Sequence, residues 1–272
     1  MMTEQRDNLT GTLLAIDTST SALTVALAVD GGIQAERSSH AERNHSIKLL
    51  PEIQEMLKEA GTAPADLAAV AVGTGPGSYT GVRIGVTVAK TFSWSLGIPV
   101  VGVSSLEALA LGDARDIGGE RRSAVCWLIP LLDARRGQAY CSVYASDSGG
   151  GWETLVDDGI RLVAEWLPDL SAMLERRLAE GTGPDLIVFG GETSGFRETL
   201  NAWCGSAPER VHTEIRESGI RAARIAELGW RRIARGERDG THELVPNYTQ
   251  LAEAEVKLAQ KEQRGGEPFG QR

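Results

Sequence analysis

Cysteine is scarce in this chain of 272 residues: Cys126, Cys141 and Cys204 are the only three, and no pair has CxxC spacing. So few cannot build a disulfide framework, and they are expected to pack as small core side chains in a reducing compartment. No apolar run approaches the roughly 18 residues needed to cross a bilayer, which excludes a membrane-spanning helix and leaves no membrane partner to expect. The first ten residues are polar, so no secretory signal is expected and the chain is placed in the cytoplasm. The four histidines include no HxxxH pair. His40 and His45 are five apart, about 140° around a helix axis, which is poor geometry for one metal. No lysine follows a glycine, so a Walker A loop is missing, as are GxGxxG and GxSxG. Basic charge is also short: 28 Lys and Arg stand against 37 Asp and Glu, for a net charge of −9, and such a surface repels a polyanion.

With 42% hydrophobic and 24% charged residues, what remains has the composition of an ordinary globular protein, enough for one large or two small domains. Residues 12–17 (TLLAID) read as a buried strand closed by Asp17. Strands at 23–29 and 33–38 flank an Asp30-Gly31-Gly32 hairpin turn. A helix is expected over 46–60, with Ile47, Leu50, Ile53, Leu57 and Ala60 on one face and Pro51 imposing a kink or a late start. A strand at 67–72 leads through the glycine-rich 73–81 into a helix over 82–96. A further strand at 100–103 precedes a capping box, Ser104 with Glu107.

The second half repeats the first. The apolar run 127–133 again ends in Asp, with Asp133 lying 116 residues after Asp17. The runs beginning at Asp66 and Asp185 both lead into glycine-rich loops and lie 119 apart. Two landmarks at nearly one offset point to a duplicated α/β unit. The expected division is a disordered lead at 1–11, a first unit at 12–112, a second at 113–252 whose helix 218–235 packs back on the first, and a flexible tail at 253–272. Two mixed sheets flanked by helices, with a cleft between them, resemble the actin-like (ASKHA, RNase H-like) architecture of sugar kinases and Hsp70 ATPases.

Three constellations are candidates for function. Asp17 and Thr18 with Gly75, Gly77 and Ser78 could hold a nucleotide phosphate at a helix N-terminus, although a tight strand-to-helix turn explains the same residues. Gly81, Gly85, Ala89 and Ser93 form a small-residue stripe at i, i+4 steps, which lets another helix approach closely. This helix, with the one at 46–60, is therefore the first candidate for a partner surface. Between Arg210 and Arg238 eight arginines face four glutamates, a local surplus of four positive charges in a chain whose remainder carries −13. Arg221, Arg224, Arg231, Arg232 and Arg235 fall within about 100° of one helical arc, which suits either a tRNA contact or a salt-bridged face.

The segments LAIDTST at 14–20, HSIKLLP at 45–51, GTGPGSYTGVRIGVTVAK at 73–90, LDARRG at 132–137 and PNY at 246–248 with Glu253-Ala254-Glu255 resemble the bacterial TsaB (YeaZ) family. The resemblance runs from about residue 13 to 255. It implies the dimerization subunit of the complex that transfers a threonylcarbamoyl group from its adenylate to N6 of the adenosine beside the tRNA anticodon. It further implies a non-catalytic chain that joins the metal-containing paralogue TsaD. The implied contacts are Ser46, Leu50, Ile53, Leu57, Arg83, Gly85, Ala89 and Ser93, a surface that also forms a homodimer when the chain is alone. A TsaE-type ATPase, tRNA held through the complex, and ATP or ADP within that complex follow from the same resemblance. One departure is Thr249-Gln250 after Tyr248, where the family often carries Arg. The rival readings from the residues are a stand-alone ATPase or small-molecule kinase using Asp17, and a metallopeptidase-like enzyme using His40 and His45.

Overall fold

A computed structural model describes residues 10–40, 44–117, 125–147 and 149–249. Residues 1–9, Gln250, the Glu253-Ala254-Glu255 motif and the tail at 253–272 lie outside these. Ten strands and six α-helices occur among the described residues. The first unit comprises β1 (Thr12–Asp17), β2 (Ala22–Val29), β3 (Gly32–His40), α1 (His45–Glu59), β4 (Leu67–Gly73), α2 (Tyr79–Leu96), β5 (Val100–Val103) and α3 (Ser105–Arg115). The second comprises β6 (Cys126–Asp133), β7 (Gln138–Ser146), β8 (Trp152–Leu162), α4 (Val163–Ala179), β9 (Leu186–Gly191), α5 (Arg197–Ser206), β10 (His212–Ile215) and α6 (Ala222–Ala234).

The two sheets have one topology. The first is ordered β3-β2-β1-β4-β5; the second, read from the matching edge, is β8-β7-β6-β9-β10. In each, an antiparallel meander joins a parallel run through crossover helices. Even the proline inside the first crossover helix recurs, as Pro51 in α1 and Pro168 in α4. α1 runs through Pro51 from His45, so the expected late start is not seen; the carbonyl that Pro51 leaves without a donor belongs to the exposed Ile47.

Period-2 alternation divides the core. Leu14 and Ile16 face α1 and α2 on the outer side of the first sheet, whereas Leu13 and Ala15 face inward. α4 and α5 cover the outer side of the second sheet. Between the sheets lie α3 and α6, and they are exchanged: α3 packs on β6, β7 and β9 of the second unit, and α6 packs on β1, β2, β4 and β5 of the first. At Gly229 of α6 an added Cβ would come 2.4 Å from the Ala71 Cβ of β4, so only glycine permits that approach. Ser104 caps α3 by accepting from the Glu107 amide, but the Glu107 carboxylate accepts from Trp152 Nε1 of β8 at 3.1 Å instead of turning back. The expected capping box is thus half made, and its other half ties the two units.

The inter-unit cleft and the outer helical face

Asp17 ends β1 and is 1% exposed. One carboxylate oxygen accepts from the Ser19 amide at 2.9 Å and hydroxyl at 2.7 Å; the other accepts from Ser105 Oγ at 2.6 Å. Burial pushes its pKa up against these hydrogen bonds. Beside it, Thr18 donates to the Gly81 carbonyl at 2.7 Å, while Ser78 donates its amide to the Ser19 carbonyl at 2.6 Å and caps α2 with its hydroxyl. Gly75 is turned away, donating to Ser105 Oγ and accepting from the Ser105 amide. An added Cβ on Gly77 would lie 2.2 Å from the Ser19 carbonyl oxygen. The glycines of this loop therefore allow two backbone segments to meet.

Between the units a cleft of about 740 Å³ opens on the first turns of α1 and α2 and on the β6–β7 hairpin. Gly77 and Ser78 line it, together with His45, Asp133, Arg135 and Glu192; Asp17, Thr18 and Gly75 do not. Asp17 is buried behind the lining of this cleft and offers no oxygen to a magnesium-nucleotide within it. Asp133, its counterpart in the second unit, is exposed and accepts from the Arg135 amide at 2.8 Å. His45 is buried at the start of α1 and His40 is exposed at the end of β3. Among the described residues no group of three His, Cys, Asp or Glu side chains is placed to hold a metal ion.

The small-residue stripe of α2 faces inward. A Cβ on Gly81 would sit 2.1 Å from the Thr18 carbonyl oxygen, and one on Gly85 would sit 2.4 Å from Thr18 Oγ1. Ala89 is in the core, and Ser93 is buried, donating to the Ile98 carbonyl. Of the eight expected contact residues, then, Gly85, Ala89 and Ser93 pack within the unit. Ile53 and Leu57 do likewise, with His45, Leu49 and Met56. Ser46, Leu50 and Arg83 remain at the surface. The exposed face of the two helices carries Ile47 at 71%, Leu50 at 53% and Trp94 at 70% exposure. Trp94 escaped the sequence reading because it lies off the small-residue stripe. Its clue was a large aromatic in a helix with no opposing charge.

The five arginines of the α6 arc share four carboxylates. Arg221 pairs with Glu36 of β3 at 2.7 Å, Arg224 and Arg231 with Glu227 at 2.6 Å, Arg232 with Glu237 and Asp239, and Arg235 with Glu237. Each guanidinium of the arc thus has a partner within the chain, while Arg221, Arg231 and Arg235 stay largely exposed.

These features have close relatives. Residues 19–258 match the family described as TsaD: tRNA N6-adenosine threonylcarbamoyltransferase. The tRNA threonylcarbamoyladenosine biosynthesis protein TsaB of Bacillus subtilis is 37% identical over 246 residues, spanning 90% of this chain and 97% of that protein. The chain belongs to the TsaB/YeaZ family. TsaB of Escherichia coli is 40% identical over 143 residues, 52% of this chain and 58% of its own length. The YeaZ structure from Pseudomonas aeruginosa superposes with a TM-score of 0.64 at 26% identity, covering 88% of this chain and 99% of that one. The tandem arrangement of two mixed sheets with one topology is thus that of the TsaB/YeaZ proteins. No helix among the described residues is long and apolar enough to cross a membrane.

Proposed function

We infer that this chain acts in tRNA threonylcarbamoyladenosine biosynthesis as a partner subunit without a catalytic centre of its own, joined through the outer face of α1 and α2 to a metal-containing TsaD-type subunit. The match to a TsaB protein along 97% of its length carries the assignment to that pathway. The non-catalytic reading draws support from Asp17, whose carboxylate is committed to Ser19 and Ser105, and from a sequence without an HxxxH pair. The interface reading draws support from Ile47, Leu50 and Trp94, three large apolar side chains left in water on adjoining helices. On this reading ATP or ADP in the complex is held by the partners, a TsaE-type ATPase among them. The tRNA is held chiefly by the catalytic subunit, and two copies of this chain pair through the same apolar face when alone.

Reconstitution tests this reading. Unmodified tRNA, threonylcarbamoyl-adenylate, ATP and TsaE are supplied with this chain, with TsaD, or with both, and the modified nucleoside is quantified. Product only when both subunits are present is the expected result. Product from this chain alone would refute the non-catalytic assignment.

A further inference from the structure

At the rim of the α1/α2 face, where the segment after α6 returns across α2, two tyrosines hold an arginine. The Arg83 guanidinium stacks 3.9 Å from the centre of the Tyr79 ring, and its Nε donates to the Tyr248 hydroxyl at 2.8 Å. The two rings are 5.8 Å apart. All three side chains are exposed. The α6 arginines each face a carboxylate, whereas among the described residues the groups acting on Arg83 are these two tyrosines. The return segment is itself fixed: Asn247 donates its amide to the Thr74 carbonyl and its side-chain nitrogen to Asp158, and Lys90 donates to the carbonyls of His242 and Leu244. Tyr248 is therefore delivered to Arg83 by a braced strap 165 residues away in sequence.

We propose that Arg83 is a preformed receptor for a carboxylate of the partner subunit, an Asp or Glu side chain entering at the edge of the α1/α2 face. An exposed arginine loses considerable rotamer freedom when it docks. Here the stack on Tyr79 and the Tyr248 hydrogen bond have already taken that freedom, and among the described residues no carboxylate pairs with the Nη end. A planar fork held this way matches a carboxylate in bidentate geometry. The surroundings select a protein rather than RNA. Binding a polyanion takes several cations, and the neighbouring Lys90 and Lys48 are spent on backbone carbonyls. Arg83, the two tyrosines and the exposed Ile47, Leu50 and Trp94 of the same two helices are residue types of which Arg, Tyr and Trp are enriched in binding hot spots. A groove of about 390 Å³ between Trp94, Thr91 and His242 continues the same rim.

The inference rests on the interface reading, and one experiment separates the two. Binding of the full chain to the TsaD-type subunit is measured by calorimetry, with the melting temperature of each isolated variant alongside. Arg83→Lys keeps the charge but not the fork, and should weaken binding by about tenfold or more. Tyr248→Phe keeps the ring and should weaken it severalfold, with no further effect once Arg83→Lys is present. Isolated variants should melt within about 2 °C of the parent. Wild-type affinity for Arg83→Lys overturns the proposal. So does a lowered melting temperature, which would place the carboxylate in this chain, or a loss of tRNA binding with subunit affinity unchanged. Leu50→Asp is the control for the face. If it abolishes binding while Arg83→Lys does not, only the receptor is wrong; if neither matters, the interface reading falls as well.

Discussion

Two carboxylates, Asp17 and Asp113, show how single residues lock this fold. Each lies over a glycine at or next to the end of a strand: a Cβ on Gly73 would come 1.8 Å from Asp17 Oδ2, and one on Gly190 would come 1.7 Å from Asp113 Oδ2. Each also accepts from a serine hydroxyl, Ser105 and Ser218 respectively. Gly73→Ala leaves the carboxylate nowhere to move and should cost at least about 2 kcal/mol, read as a lowered urea midpoint with unchanged slope. Asp113 brings a pH dependence, because burial raises its pKa to about 6 against the pull of Ser218 and Arg216. A carboxyl that is easier to protonate in the folded chain stabilises it fully at pH below the ordinary carboxylate range, and that contribution is lost as pH rises through about 6. Compared with Asp113→Asn, the wild type should lose up to about 3 kcal/mol of stability between pH 4 and pH 7, measured by urea unfolding at stepped pH. A constant difference across that range would refute it.

Among the elements, legibility followed burial, except for the exposed edge strand β3, which its Asp30-Gly31-Gly32 turn marks. β1, β2, β4 and β6 were readable as short apolar runs because they lie inside their sheets. β8 was not: it is an edge strand with half-exposed residues, and Asp157, Asp158 and Gly159 interrupt any alternation. β10, four partly exposed residues long, gave no periodic signal either. In α1 the periodicity was present but ambiguous. Apolar residues occur on both faces, so the pattern could not say that Leu49 and Met56 face the core while Ile47 and Leu50 face water. In α2 the small residues were legible and the neighbour they serve was not, since Thr18 lies 67 residues before Gly85. The α6 arginines were read as an arc, but Glu36 and Asp239, which neutralise part of it, belong to other segments. The α2 geometry fixes the outcome of a substitution that the stripe alone would misassign. Gly85→Leu should unfold the first unit, with a fall of more than about 3 kcal/mol, whereas Leu50→Asp should leave the melting temperature unchanged and release the partner. Thermal denaturation beside a pull-down distinguishes the two; a folded, dissociated Gly85→Leu would return the stripe to the interface.

On the scale of the whole molecule, the repeat of sheet order announced by Asp17 and Asp133 is complete, yet the halves are not self-sufficient. The helix that closes each unit's sequence has crossed to the other unit's sheet, α3 to the second and α6 to the first. Cut after residue 117, the first half would bare Leu13, Ala15, Ala71 and Val101, which α6 covers with Ile225, Ala226 and Ile233. Expressed alone it should be insoluble, and co-expression with the remainder should restore a soluble pair; a soluble, cooperatively melting first half would contradict this. Because each half's closing helix completes the other half's core, neither half can be lost, shuffled or replaced without carrying the other with it.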